Sequence, residues 1–276
     1  MPILAGPCVP EVTAQGHTAH WQSFANGPDR VVAVHCTMGH SAMWKGLAMA
    51  CDGQMRWDCL DMIGHGGSDK WDRTAEFTGA NVAVLLHLLE SPAHLVGHSY
   101  GAAIALIAAV ARPEMVKSLT FYEPMFPAFA RDNPDFDGLN AENVPFRDAM
   151  AAGDIESAAR LFMARWGTGK SWDEMSPRAQ ARAIDDIHMI DGQAKGITDD
   201  LYGMTKSGAL DALTMPVTLV EGSTSPALID AMNAAFAARL KDAQRITVEG
   251  AGHMVPVTHP VAALAALRQT VSRAQP

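Results

Sequence analysis

Short runs of apolar, often β-branched residues alternate along this chain with stretches whose apolar positions recur at helical spacing. Val31-Val32-Ala33-Val34, Trp57 to Leu60, His94-Leu95-Val96, Ser118 to Tyr122, Val217 to Val220 and Arg245 to Val248 read as strands. Helices are predicted near residues 42–51, 76–90, 100–111, 226–240 and 260–272, the last opening with Pro260, whose fixed φ suits a first helical turn. Strands separated by helices predict an α/β fold with a mostly parallel sheet covered by helices.

One stretch breaks the alternation. From Pro127 to Leu213 no strand pattern occurs, whereas Asp154 to Trp166 and Ser176 to Ile190 read as helices, each with a start signal. An all-helical insertion between two core strands predicts a cap over the sheet's carboxyl edge, where open α/β sheets bind ligands. The expected organisation is therefore a core of residues 1–126 and 214–276, with a helical cap of residues 127–213.

Composition narrows the classes of function. The 276 residues are 48% hydrophobic, enough for one large core. A net charge of −9 with no basic stripe disfavours nucleic acid and anionic membranes as partners. Met1 to Pro7 has neither the basic region nor the apolar stretch of a signal peptide, which points to a cytoplasmic protein, monomer or homodimer, acting on a small molecule. Cys8, Cys36, Cys51 and Cys59 show no CxxC pair and no metal-ligand spacing, so four reduced thiols and no metal are expected.

The chemistry is concentrated in Gly97-His98-Ser99-Tyr100-Gly101, a GxSxG motif directly after one predicted strand and before a predicted helix. That context is the nucleophile elbow: the flanking glycines permit a sharp turn that exposes the serine hydroxyl at the sheet edge. A serine hydroxyl is a weak nucleophile until a base takes its proton. His253, in Glu249-Gly250-Ala251-Gly252-His253 after the last predicted strand, is the candidate base. Among the other histidines, His98 lies inside the elbow and is expected to point away from Ser99, His188 lies in the cap, and His259 begins the last helix.

With Val34-His35-Cys36-Thr37-Met38-Gly39-His40-Ser41-Ala42-Met43-Trp44, Asp61-Met62-Ile63-Gly64-His65-Gly66-Gly67-Ser68, the elbow and Gly250-Ala251-Gly252-His253, the chain resembles the α/β-hydrolase superfamily over essentially its whole length. The resemblance implies a doubly wound core of about eight strands with a helical lid inserted after the sixth. It implies an oxyanion hole of two backbone N–H groups, one on Tyr100 and one on the loop after the third strand, at Thr37 or Met38. No cofactor is implied. Most members carry the triad acid after the seventh strand, where Ser225 stands here; others carry it at the end of the sixth, where Glu123 stands. Glu123 is the expected acid and Glu221 the alternative. Asp61 with Gly64-His65-Gly66 reads as a turn signature rather than a catalytic element.

The expected activity is hydrolysis of a small carboxylic ester or lactone through an acyl-enzyme on Ser99. Candidate pocket residues are Met38, Trp44, Met125, Phe126, Phe129, Trp166, His188 and Met254. The competing readings are a cofactor-independent dioxygenase or a carbon–carbon bond hydrolase on the same triad, and a ligand receptor that hydrolyses slowly. Dehalogenase and epoxide hydrolase chemistry need an aspartate nucleophile, and position 99 is serine.

Overall fold

A computed structural model describes residues 11–275. Eight strands form one sheet: β1 (Glu11–Ala14), β2 (His17–Phe24), β3 (Asp29–Val34), β4 (Met55–Leu60), β5 (Ala93–His98), β6 (Val116–Tyr122), β7 (Val217–Gly222) and β8 (Ala243–Val248). The strand order is β1-β2-β4-β3-β5-β6-β7-β8, with β1 and β2 antiparallel to their neighbours and every other pair parallel. The hydrophobic pattern marks the last six strands and misses the first two. Their turn was legible in principle, since Gln15-Gly16 takes positive φ at both positions (50° and 82°), the geometry of a tight hairpin.

The helices are α1 (Lys45–Met49), α2 (Phe77–Leu88), α3 (Tyr100–Ala111), α4 (Phe136–Ala141), α5 (Val144–Ala152), α6 (Ile155–Trp166), α7 (Pro177–Asp186), α8 (Met189–Ile197), α9 (Ala227–Ala237), α10 (Val255–Thr258) and α11 (Pro260–Arg273). In β3, Val31 and Ala33 turn to the face covered by α1 and α11, while Val32 and Val34 turn to the face covered by α2, α3 and α9. This is the strand's period of two, with both faces apolar because helices cover both. Between β6 and β7 the chain is helical, from α4 to α8. The single helix expected over residues 176–190 is instead two, α7 and α8, broken around Ile187-His188. α4 and α5 escaped the pattern because Gly138 and Pro145 interrupt their periodicity.

The glycine after the elbow has a steric task. A Cβ on Gly101 would lie 2.3 Å from the His35 carbonyl oxygen and 2.4 Å from that of Val34, so only glycine lets α3 start against the end of β3. Cys36, Cys51 and Cys59 are free and buried, whereas Cys8 and the segment read for a signal lie outside the described residues. No helix among the described residues is long and apolar enough to cross a membrane.

Buried histidines stitch the loops at the sheet's carboxyl edge. His35 donates Nδ1–H to the Cys36 carbonyl (2.7 Å) and accepts the Met62 N–H at Nε2 (3.1 Å). His65 donates Nδ1–H to the Ile63 carbonyl (3.1 Å) and accepts the Met38 N–H at Nε2 (3.0 Å). A ring nitrogen that accepts a backbone N–H cannot also carry a proton, so both rings are neutral. Burial pushes His35 and His98 down to about 3 and holds His65 well below the ordinary histidine range.

These groups make the fold acid-sensitive in a defined window. Between pH 3 and the ordinary value of 6.5, the unfolded chain binds protons that the folded His35 and His98 refuse, so stability falls as pH falls through that range. Each such ring steepens the slope by up to ~1.4 kcal/mol per pH unit. Urea unfolding from pH 6.5 to 4 should show this loss, and His35→Gln or His98→Gln should remove about one proton's worth of slope. An unchanged slope in both variants would show that the rings titrate alike in both states.

Candidate active site

Ser99 stands between β5 and α3 at φ 54°, a left-handed conformation that costs a non-glycine residue on the order of 1–3 kcal/mol. Neighbouring backbone holds it there. Its N–H donates to the Tyr122 carbonyl (2.9 Å), and its own carbonyl accepts from Ala102 N–H (3.0 Å) and Met125 N–H (3.1 Å). One strand over, Glu123 repeats the device at φ 50°, with its N–H donated to the Val220 carbonyl (2.7 Å). The ends of β5, β6 and β7 are thus locked to one another just where the candidate nucleophile and acid emerge.

The Glu123 carboxylate is fully buried. Oε1 accepts the Gly222 N–H (2.5 Å) and the Ser225 hydroxyl (2.7 Å), while Oε2 lies 3.1 Å from His253 Nδ1. A carboxylate accepts, so Nδ1 carries the proton of the neutral ring and Nε2 keeps its lone pair. The histidine is held from two further sides. His98 donates Nε2–H to the His253 carbonyl (2.8 Å), and the Trp166 indole meets the His253 ring edge-on, centroids 4.8 Å apart at 71°. His98 Nδ1 is buried without a partner among the described residues.

Glu221, the alternative acid, is buried on other business. It accepts from Asn233 (2.6 Å), Arg245 (2.6 Å) and Thr247 (3.3 Å). Asp61 ties two loops, accepting the Ser41 N–H (2.6 Å) and the Gly67 N–H (2.9 Å).

Thr37 and Met38 form a turn closed by Gly39 N–H to the Cys36 carbonyl (3.0 Å), with Met38 at φ 62°. The Met38 N–H is committed to His65. The N–H groups of Thr37 and Tyr100 have no acceptor among the described residues, and Tyr100, as the first residue of α3, has no intrahelical one to find.

A cavity of about 630 Å³ opens over this edge, with Ser99, His253 and Thr37 in its lining. Its walls are apolar: Met125 from the core edge, Phe136, Val144, Phe146, Phe162 and Trp166 from α4–α6, Ile190 and Ile197 from α8, and Leu228 from α9. Asp137, Arg147 and Asp191 add charge.

Of the eight pocket residues expected from sequence, Met125 and Trp166 line this cavity. The others are corrected. Trp44 lies wholly buried in the core on the α1/α11 face, between Trp57 and Tyr122 at ring distances of 6.2 and 6.1 Å. Phe126 and Phe129 are core residues, the latter stacked on Phe236 at 4.7 Å. Met38 packs against the small core of the inserted helices. His188 lines a separate depression beside Trp71, and Met254 stands outside the cavity lining at the N-terminus of α10. Sequence reasoning missed the wall residues of α4 and α5 and the hydrogen bonds of Ser225 to Glu123 and of His98 to the His253 carbonyl. It also missed Gln193, whose amide Nε2 donates to Thr37 Oγ1 (2.7 Å). Ser225 was visible as the residue in the place of an aspartate; a glutamine inside a helix gives no signal.

Among the described residues no group of three or more His, Cys, Asp or Glu side chains is placed to hold a metal ion.

Comparisons with known proteins agree with this architecture. The chain is 30% identical over 264 residues to the lipase LipV of Mycobacterium tuberculosis, covering 88% of this chain and 93% of that protein. It is 34% identical over 152 residues to a pimeloyl-[acyl-carrier protein] methyl ester esterase of Methylococcus capsulatus, covering 53% of this chain and 56% of that one. A hydrolase from Pseudomonas aeruginosa superposes with a TM-score of 0.75 at 18% identity, covering 97% and 99% of the two chains. The family model of the α/β-hydrolase fold matches residues 29–260, and the chain belongs to that family.

Proposed function

We propose that this chain is a serine hydrolase that cleaves a small carboxylic ester or lactone through an acyl-enzyme on Ser99. The observation that carries this reading is the contact of Glu123 Oε2 with His253 Nδ1, beside a cavity onto which Ser99 and His253 both open. Ester hydrolysis is also what the names of the Mycobacterium and Methylococcus relatives describe for those proteins.

In the proposed cycle, His253 Nε2 takes the Ser99 hydroxyl proton as Oγ bonds to the substrate carbonyl carbon. The carbonyl π pair moves onto oxygen, and Glu123 stabilises the imidazolium formed at His253. The backbone N–H groups of Thr37 and Tyr100 stabilise the oxyanion, each such donor being worth about 3–4 kcal/mol of barrier in comparable sites. Collapse expels the alcohol, which takes the proton from His253. Water then repeats the sequence on the acyl-enzyme, with His253 again as base. No hydrogen bond links Ser99 Oγ to His253 here; such contacts commonly tighten only when substrate is bound. The helices of residues 127–213 act as a lid, and their aromatic side chains on the cavity wall suit an apolar acyl or alcohol group.

Two experiments test this reading. A fluorophosphonate probe should label the protein at Ser99 alone, and labelling that persists in Ser99→Ala would refute the nucleophile. Glu123→Gln should lower kcat on the order of 10³- to 10⁴-fold. Glu221→Gln should leave kcat near wild type and register in the melting temperature, because it disturbs a buried ion pair. Near-normal kcat in Glu123→Gln with a crippled Glu221→Gln would reverse the assignment of the acid.

The lid role predicts a shift in specificity. Trp166→Ala should change the relative kcat/KM across p-nitrophenyl esters of increasing acyl length by roughly tenfold or more, with the melting temperature close to wild type. A melting collapse with unchanged chain-length preference would mean that Trp166 serves packing only.

A further inference from the structure

Thr37 carries more chemistry than its backbone. Its side chain is buried, 8% exposed, and lines the cavity together with Ser99 and His253. Gln193, 4% exposed on α8, donates its amide Nε2–H to Thr37 Oγ1 at 2.7 Å. An amide nitrogen only donates, so the Thr37 hydroxyl is the acceptor in that bond. Its single proton has to be directed elsewhere. No protein acceptor for it occurs among the described residues' hydrogen bonds, and the open side of the residue is the cavity.

We propose that the Thr37 hydroxyl is a third hydrogen-bond donor to the substrate oxyanion, and that Gln193 is the positioning residue that turns its proton into the cavity. This rests on the proposed acyl-transfer reading and extends it to the side chain of a residue whose N–H that reading already assigns to the same oxygen. No proton is transferred in the step: the hydroxyl hydrogen-bonds to the negative oxygen of the tetrahedral intermediate and is left in place when that intermediate collapses.

Gln193 is well mounted for the task. A Cβ on Gly196, one turn further along α8, would lie 2.1 Å from Thr78 Oγ1, so glycine is what lets α8 settle against α2. Met189 and Ile197, at the two ends of α8, are buried in the main hydrophobic core. The amide is therefore presented from a helix fixed to the core and not from a mobile loop. Nothing else in the cavity's immediate lining offers Thr37 a competing donor bond.

The test is a set of four variants assayed with a p-nitrophenyl ester and with a trifluoromethyl ketone that forms a tetrahedral adduct on Ser99. Thr37→Val removes the hydroxyl and keeps volume and backbone N–H; Thr37→Ser keeps the hydroxyl. Gln193→Glu offers an acceptor in place of a donor and captures the proton. Thr37→Val should lower kcat by on the order of 10- to 100-fold with KM within about threefold, and should weaken trifluoromethyl ketone inhibition by the same factor. Thr37→Ser should stay within about threefold of wild type. Gln193→Glu should resemble Thr37→Val, and the double variant Thr37→Val/Gln193→Glu should be no worse than either, because both remove one interaction.

Folding is checked separately by melting temperature and by circular dichroism. A folded Thr37→Val enzyme with kcat within twofold of wild type would overturn the proposal. So would losses in Thr37→Val and Gln193→Glu that multiply in the double variant. Failure of the parent reading is a different result, namely turnover that survives Ser99→Ala.

Discussion

A carboxylate with no access to water has to be matched bond for bond, and Glu123 is matched from three places at once. Oε1 takes a backbone N–H from the end of β7 and a hydroxyl from Ser225, and Oε2 takes His253 Nδ1–H, 130 residues away in sequence. Removing one partner from a buried charge of this kind costs about 3–5 kcal/mol, because the charge remains while its compensation goes. The loops after β6, β7 and β8 are therefore not free to shift independently. The candidate nucleophile is tied into the same unit, since Ser99 donates to the strand residue just before Glu123 and accepts from Met125 just after it.

The position of the candidate acid has a geometric logic. Ser225 stands where most relatives of this fold place an aspartate, on the loop beyond β7. Glu123 starts one strand further from β8, and neighbouring strands are ~4.8 Å apart. Part of that distance is closed by the extra methylene of glutamate, and part by the turn at φ 50°. A small residue at position 225 leaves room for the carboxylate and contributes a hydroxyl to it. Three residues at the carboxyl edge, Met38, Ser99 and Glu123, hold positive φ without being glycine. Strain of this sort persists only where the surroundings over-determine it, and here each of the three has its N–H committed to a fixed acceptor.

The fold and the chemistry differed in how readily they could be read from residues. Motif chemistry is local, so Ser99 in its elbow, the histidine on the last loop and Glu123, with Ser225 in the usual acid's place, could be named as candidates from sequence. Strands buried on both faces were legible because they are uninterrupted apolar runs. β1 and β2 were not, because their edge positions mix His, Thr and Gln with apolar residues. The pocket was the least legible part. Trp44 and Phe129 have the composition of pocket residues, but whether a large apolar side chain faces a cavity or a core depends on tertiary packing, and both lie in the core. Phe136 and Phe146 sit on helices broken by Gly138 and Pro145, where periodicity gives no footing.

The inserted helices divide into two groups by what they touch. α7 and α8 reach the loop after β3 directly: Arg182 donates to the Gly39 carbonyl (3.2 Å), Gln193 to Thr37 Oγ1 (2.7 Å), and Met38 packs into the small core around Trp172 and Ile187. From the opposite side the same loop is held by His65 through the Met38 N–H. α8 also shares the main core, so its displacement would expose apolar surface at ~25 cal/mol per Å². α4 to α6 supply Phe136, Phe146, Phe162 and Trp166 to the cavity wall while leaving Ile155 and Leu161 exposed outside. The two groups carry separable demands. The loop that carries the candidate oxyanion donor Thr37 is held by α7 and α8, and most of the aromatic cavity wall is supplied by α4 to α6, which share the small core of Ala158, Ala159 and Ile187 with α7. Variation in α4 and α5 can therefore alter which molecules fit while Trp166, at the end of α6, keeps its contact with the His253 ring.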